Sequence, residues 1–230
     1  MAEAAPRVEL ELSGIRFLFP HFITPVIPKD RSGRAAQNQD PRFDGTVMIP
    51  KAHALVGALR GKFREALAAE FGAQNVPDNF AGYQLPIEDG DKRADQKKAD
   101  VENSVPKAKE SGFTRGYWLL KVKSGEKYPP ALATIVNGQP MNLSDDAEKK
   151  QHAGKFYSGV DGGCTITFRA FRPFGNQKDP GLSCYINEAF SLNTGEKIAD
   201  GGGRDPAAKM HGYAGKSSDV DPTAKSASGF

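Results

Sequence analysis

The alternation of apolar and polar residues changes phase once near the amino terminus. Apolar side chains occupy even positions from Val8 to Leu12 and odd positions from Ile15 to Phe19, and Gly14 lies at the change. A period of two is typical of a β-strand with one buried face, and a glycine at a phase slip indicates a β-bulge, which bends the strand. Because small barrels need bent strands to close, this segment predicts the first strand of a barrel.

A different periodicity follows residues 43–49, which are predicted as a strand that ends at Pro50. Between residues 51 and 71 large apolar side chains recur every four positions, at Leu55, Leu59, Phe63, Leu67 and Phe71. A single apolar stripe at this spacing predicts an amphipathic helix packed on a sheet. Gly72 is a suitable residue to end that helix.

The remaining pattern predicts further strands, a short helix and two long loops. Strands are predicted at residues 114–123, 130–136, 163–172 and 182–190, because each segment is β-rich and bounded by Gly, Pro or Asn. A short helix is expected around 145–153. Residues 20–42 contain four prolines and residues 91–110 are mostly charged, so both are expected to be exposed loops, the second partly disordered. The fold class is therefore mainly β, a closed or half-closed barrel with one packed helix and long loops.

The pattern of elements stops near residue 200. Three glycines at 201–203 begin a stretch that is low in apolar residues and ends at Phe230. We therefore expect one domain over residues 1–200 and a flexible tail over residues 201–230. No segment has the roughly 20 apolar residues of a membrane span, and no signal peptide is recognisable, so a cytoplasmic location is expected.

The low net charge disfavours a duplex-DNA binder, and the two cysteines indicate a reducing compartment. The net charge is only +3, although lysine and arginine cluster locally, and duplex-DNA binders usually have a larger basic excess. Cys164 and Cys184 lie on apolar faces of predicted strands and are expected to be buried free thiols in a reducing compartment.

Catalytic signatures are absent from the sequence. The four histidines lie far apart and none has metal-ligand spacing to a cysteine or another histidine. The carboxylates between Glu88 and Asp91 allow a metal-dependent nuclease as a distant alternative, but a solvated turn is the simpler interpretation because the EF-hand pattern is missing. Neither a Walker A motif nor a nucleophile elbow is present. We expect no cofactor and no enzymatic activity.

Two predicted strands each have an outward face that combines cations with aromatic rings. The residues of this kind are Arg115, Tyr117, Lys121 and Lys123 on the first strand and Arg169, Phe171, Arg172 and Phe174 on or just beyond the second. Cations that follow phosphates and rings that stack on bases are what single-stranded nucleic acid requires. Trp118 and Phe168 lie on the opposite faces and are assigned to the core.

Several segments, in this order, resemble a family of phage-encoded single-stranded DNA-binding proteins with an OB fold. They are FPHF at 19–22 with Pro25, FDGTVMIPK at 43–51, LPIEDGD at 85–91, GYWLLK at 116–121, FYSG at 156–159, and the pairs at 163–164, 181–182 and 195–196. The resemblance covers about residues 8–200. It implies an OB-fold barrel that coats single-stranded DNA without sequence preference during phage replication, recombination or repair, with no cofactor.

The resemblance also assigns roles to residues. Arg115, Lys121, Lys123, Arg169 and Arg172 would contact phosphates, and Tyr117, Phe171, Phe174 and, near the same rim, Tyr157 would stack on bases. In the family an acidic tail that ends in Phe recruits replication proteins; Phe230 fits that role, whereas the tail here is nearly neutral. The alternative function is a structural or protein-interaction β-barrel, such as a virion or replisome accessory component, that uses the same faces for a protein partner.

Overall fold

The first strand bends where the apolar pattern changes phase. In the computed structural model, which describes residues 7–28, 39–103, 112–173 and 178–198, strand β1 spans Val8–Val26. Gly14 has a φ of 63°, and the pairing of β1 with a later strand shifts register between Ser13 and Ile15. The predicted bulge is therefore confirmed. It lets one strand take part in two differently oriented pairings.

The described elements follow the predicted order with four additions. The strands are β1, β2 (Arg42–Pro50), β3 (Ile87–Asp89), β4 (Tyr117–Gly125), β5 (Ala131–Val136), β6 (Gln139–Leu143), β7 (Asp161–Phe171) and β8 (Gly181–Ser191). The helices are α1 (Leu55–Phe71), α2 (Gly90–Glu102) and α3 (Asp146–Gln151), and the described residues also form three short 3₁₀ turns. Helix α3 confirms the short helix expected at 145–153. Strands β3 and β6, helix α2 and the second half of β1 were not predicted as regular structure.

Five of these strands close into a barrel. Strand β1 pairs antiparallel with β2 and with β7, β2 pairs with β4, and β7 pairs with β8. The circle closes by a parallel bridge between β4 and β8, where Lys123 lies opposite Tyr185. This order, with its one parallel junction between the third and fifth barrel strands, is that of an OB fold and confirms the predicted fold class.

The barrel interior and helix α1 share one apolar core. Phe17, Phe168 and Ile186 are fully buried there, and Phe168 meets Phe63 of α1 edge-to-face with ring centroids 5.0 Å apart. The apolar stripe of α1 packs on β1 and β7 as predicted. Trp118 is partly buried against the same core, so its assignment also agrees with the structure.

The prediction of a loop over residues 20–42 is wrong for its first part. Strand β1 continues to Val26, and its pairing with β2 shifts register after Leu18 and again after His21. Pro20 and Pro25 fall between the paired positions, where a missing N–H costs the ladder nothing. Prolines therefore mark irregular pairing here instead of ending the strand.

The prediction of a loop over residues 91–110 is wrong for residues 91–102, which belong to α2. The Asp89 carboxylate accepts a hydrogen bond from the Asp91 backbone N–H and caps the helix. Ala94 is buried, and Lys98 pairs with Glu102 one turn later at 3.8 Å. A charged sequence formed a helix because capping and i,i+4 pairs compensate for its small apolar content.

Strand β6 was not predicted, because it is a short edge strand and contains Pro140. The Asn137–Gly138 turn joins it to β5, and both turn residues have positive φ, as a two-residue hairpin requires. The described part of the chain contains no helix that is long and apolar enough to cross a membrane.

Candidate nucleic-acid interface

The outer face of β2 and β4 is divided into an apolar half and a basic half. Leu18, Met48 and Leu119 form a small buried cluster outside the barrel, and Tyr117 packs against it. Further along the same strands the outward residues become polar, with Thr46 opposite Lys121 and Asp44 opposite Lys123 in the register.

The basic half opens into a groove of about 1130 Å³, which we call the main groove. Its floor is the outer face of β2 and β4. One wall is formed by Val26 to Pro28, which enter the connection from β1 to β2, and the other by Phe171 and Leu182 on either side of the connection from β7 to β8. The main groove therefore lies at the junction of two barrel strands and two inter-strand connections.

Positive charge predominates in the main groove. Among the described residues, its lining includes Arg42, Arg93, Lys121 and Lys123 and a single carboxylate, that of Asp44. Arg42 Nε lies 3.7 Å from Asp44 Oδ2. One further carboxylate, that of Glu88, serves two cations, with Arg93 at 3.3 Å and Lys121 at 3.6 Å. The cations therefore outnumber the carboxylates that balance them.

Lys123 is the least compensated of these cations. Among the described residues no carboxylate lies within ion-pair distance of its ammonium. Burial, together with the nearby positive charge of Arg42, lowers the pKa of Lys123 below the usual value for lysine. A part-buried cation beside another cation costs free energy unless an anion is bound. The site is suited to an anionic group such as a phosphate.

An aromatic ring lies beside this cation. The Lys123 ammonium is 5.6 Å from the centroid of the Tyr185 ring, and the Arg169 guanidinium is 5.7 Å from the same centroid. Tyr185 projects outward from β8, since its neighbours Cys184 and Ile186 point into the core. A partly exposed ring between two cations provides both a stacking surface and charge for an adjacent phosphate.

The structure brings four of the residues predicted for the site together. Lys121, Lys123 and Phe171 line the main groove, and Arg169 reaches Tyr185 at its edge. Strands β4 and β7 are not neighbours in the barrel, so β8 between them determines that these side chains meet.

Four other predicted residues lie elsewhere. Arg115 pairs with Asp95 of α2 at 2.5 Å, and Arg172 pairs with Glu70 at the end of α1 at 2.6 Å. Tyr117 belongs to the outer apolar cluster, and Tyr157 packs on the core and donates its hydroxyl proton to the carbonyls of residues 194 and 195. None of these four side chains lines the main groove. Phe174 and Phe230 lie outside the described residues.

Three further residues of the main groove were not predicted from the sequence. Tyr185 has a sequence signal, because Leu182, Cys184 and Ile186 alternate as inward residues and so place Tyr185 outward. Arg42 directly precedes the predicted strand at 43–49, and Arg93 lies in the segment predicted as a loop. The positions of these two arginines in the groove depend on the fold of their neighbours, and no local pattern marks them.

The carboxylates that suggested a metal site bind cations of the protein instead. Lys51 Nζ lies 2.6 Å from Asp89 Oδ1 and 2.6 Å from Asp91 Oδ2, and these hydrogen bonds lower the pKa of both aspartates. Asp91 also accepts a hydrogen bond from the backbone N–H of Gly116. The cluster therefore fastens the start of α2 to the end of β2 and the turn before β4.

No protein-family model and no curated protein matches the sequence. Among solved structures, the single-stranded DNA-binding protein of bacteriophage Enc34 is similar at a TM-score of 0.57 and 15% identity, over 88% of this chain and 90% of that chain. The same protein in complex with single-stranded DNA gives a TM-score of 0.54 at 14% identity, over 84% and 90% of the two chains. Its C-terminal truncation gives 0.54 at 15% identity, over 83% and 89%. The chain thus has the OB-type fold of this phage protein, which confirms the fold that the sequence resemblance implied.

Proposed function

We propose that this chain is a non-enzymatic, sequence-independent single-stranded DNA-binding protein that acts in phage DNA replication, recombination or repair in the cytoplasm of the bacterial host. The observation that carries the proposal is the uncompensated, part-buried Lys123 beside the Tyr185 ring in the main groove. An anionic polymer with exposed bases supplies the two groups that this arrangement lacks: a phosphate for the ammonium and a base for the ring.

The location of the main groove supports the same function. In OB folds the face of the second and third barrel strands binds oligonucleotides, together with the loops between strands one and two and between strands four and five. Here those strands are β2 and β4, and those loops are the connections whose ends form the two walls of the groove. The basic main groove therefore lies where OB folds bind oligonucleotides. The solved relative with single-stranded DNA bound has this fold.

The lining favours nucleic acid over the alternative of a protein-interaction barrel. Protein interfaces tend to be depleted of lysine, whereas Lys121 and Lys123 occupy the floor of the groove. The floor of the groove is made of strands, and α2 contributes only Arg93 to the described lining, so no helix presents a row of side chains as sequence-reading proteins do in a duplex groove. Phosphate contacts and stacking alone give binding without sequence preference.

The decisive experiment compares single-stranded with double-stranded DNA. Fluorescence anisotropy with labelled oligo-dT should show binding that weakens as salt rises, with a slope of about −2 in a log–log plot if about three phosphates are neutralised. A duplex of the same length should bind much more weakly. Equal affinity for both forms, or no binding of oligo-dT at low salt, would overturn the proposal.

The tail is proposed as a second functional region. Residues 201–230, which end in Phe230, would recruit replication or recombination proteins, as the sequence resemblance implies for the family. Pull-down of replication proteins from infected cells with the full chain and with a chain that ends at residue 200 tests this role. Loss of the partners together with the tail supports it, and equal recovery contradicts it.

A further inference from the structure

A second groove lies on the far side of the Tyr185 ring. Its volume is about 540 Å³, and its lining includes Arg7, Ser124, Tyr128, Thr167, Arg169 and Asn187. Tyr185 lines both this groove and the main groove, so the two are separated by the width of one side chain. The second groove lies across β4, β7 and β8, outside the β2–β4 face that forms the floor of the main groove.

The second groove is basic and polar. Arg7 and Arg169 are its charged lining residues, and among the described residues no carboxylate lies within ion-pair distance of the Arg169 guanidinium. Asn187, which also lines this groove, donates hydrogen bonds to Thr167 Oγ1 at 2.6 Å and to Glu9 Oε2 at 3.5 Å. The Glu9 carboxylate accepts from this amide, and Arg169 has no carboxylate partner among the described residues, so its guanidinium is available to an anion.

Tyr128 supplies a second aromatic ring to the lining of the second groove. Its side chain is 75% exposed, the most exposed large hydrophobic residue in the described part of the chain. Its backbone is nevertheless held in place, because its N–H donates to the Gly125 carbonyl at 2.8 Å and Ser124 Oγ donates to the Tyr128 carbonyl. A ring presented to solvent on a fixed turn loses little conformational freedom when it stacks on a base.

We propose that single-stranded DNA continues from the main groove across Tyr185 into the second groove. There Arg169 and Arg7 contact phosphates and Tyr128 stacks on a base. The inference rests on the proposed function and extends it. It gives the DNA a path around the barrel and a longer binding site than the main groove alone. Tyr185 lies at the crossing, with Lys123 on the side of the main groove and Arg169 on the side of the second.

A length series of oligo-dT tests the path. Dissociation constants are measured for strands from dT4 to dT20 with the full chain and with Tyr128→Ala and Arg169→Gln. Short strands that fill only the main groove should bind the Tyr128→Ala variant as they bind the unchanged chain. Arg169→Gln should weaken strands of every length, because the Arg169 guanidinium also lies beside Tyr185, and should weaken the long strands most. Strands long enough to reach Tyr128 should bind the Tyr128→Ala variant about fivefold or more weakly, since stacking on one ring is worth at least that factor.

Matched controls separate this effect from loss of charge or exposed surface. Lys98→Gln removes one cation of α2 that lines neither groove, and Leu192→Ala shortens another exposed apolar side chain. Neither control should change affinity beyond a general salt effect. Ultraviolet crosslinking to dT20 followed by mass spectrometry should place a crosslink on Tyr128, whereas dT4 should give none there.

The outcomes distinguish the two proposals. If the unchanged chain binds dT20 and Tyr128→Ala weakens all lengths equally, or none, the second groove is not part of the path and the main-groove proposal stands. If the unchanged chain binds no strand of any length, the proposed function itself fails.

Discussion

Lys123 and Tyr185 meet at the junction that closes the barrel. They are the one described pair of partners between β4 and β8, and the Lys123 ammonium lies 5.6 Å from the Tyr185 ring centroid. The parallel junction of the fold thus brings a cation and an aromatic ring together from two strands that are far apart in sequence. The main groove begins on one side of this pair and the second groove on the other.

Replacing Lys123 with Met should strengthen the fold and weaken DNA binding. The pKa of Lys123 is lowered in the folded protein, so the charged form is disfavoured by folding at every pH below that pKa. Lys123→Met removes this cost, and we expect a higher free energy of unfolding at pH 7 by urea denaturation. The salt slope of oligo-dT binding should fall by about 0.7 as one phosphate contact is lost.

Lys121→Met is the control for that substitution. Lys121 is exposed and already lies 3.6 Å from Glu88, so its removal should leave the free energy of unfolding nearly unchanged. A gain in stability with Lys121→Met equal to that with Lys123→Met would contradict the role assigned to burial.

Substitution by alanine should lower DNA affinity at Tyr185 and fold stability at Tyr117. Tyr185→Ala should weaken oligo-dT binding by about 1–3 kcal/mol at all salt concentrations, because a stacking surface is lost. Tyr117→Ala should instead lower the free energy of unfolding by about 2 kcal/mol, because Tyr117 packs on the outer apolar cluster. Tyr185→Phe keeps the ring and should bind nearly as the unchanged chain does. Anisotropy titrations and urea denaturation of the same three variants measure both effects.

A methyl group at Gly162 should destabilise the barrel. A Cβ at this position would collide with the Phe190 carbonyl oxygen and lie 2.9 Å from the Phe17 ring. We expect Gly162→Ala to cost about 1–3 kcal/mol in thermal or urea unfolding. Gly57→Ala is the matched control, since nothing lies within 4 Å of its Cβ position in α1, and it should stabilise the helix slightly. If both substitutions changed stability in the same direction, the close packing at Gly162 would not be the cause.

Acid should weaken the attachment of α2. The pKa values of Asp89 and Asp91 are lowered by Lys51, so their contribution to stability is present above the unfolded-state pKa of about 3.9 and is lost as pH falls through the lower folded-state values. The free energy of unfolding should therefore decline below about pH 4. Lys51→Met should flatten this part of the profile. The same pH profile in Lys51→Met and in the unchanged chain would show that the contacts of Lys51 with Asp89 and Asp91 do not hold α2.

The two thiols should react only when the protein unfolds. Burial raises the pKa of Cys164 to about 12 and raises that of Cys184 as well. A thiol-specific reagent at pH 8 should label neither cysteine in the native protein and both in denaturant. Rapid labelling of the native protein would contradict the burial of both residues.

The alternation of side chains was sufficient to predict most of the barrel. The bulge at Gly14, the apolar stripe of α1 and the inward position of Phe168 follow from local periodicity, because burying one face of each element is the main driving force of this fold. The predicted end of the first strand before Pro20 was wrong, because proline is compatible with irregular pairing and β1 continues past Pro25. Helix α2 was missed because its stability comes from a cap and charged pairs, which carry little apolar signal.

For the candidate site, the sequence determined which strand faces are basic and aromatic, and so it supplied Lys121, Lys123, Arg169 and Phe171. Only the tertiary structure decided that these residues share an edge with Tyr185, because β4, β7 and β8 become neighbours through long-range pairing. It also assigned Arg115, Arg172 and Tyr117 to contacts within the protein, since the partners of an outward side chain depend on which element packs beside it. The local sequence pattern therefore determined which side chains are basic or aromatic and face outward, and the order of the strands determined which of them meet in one groove.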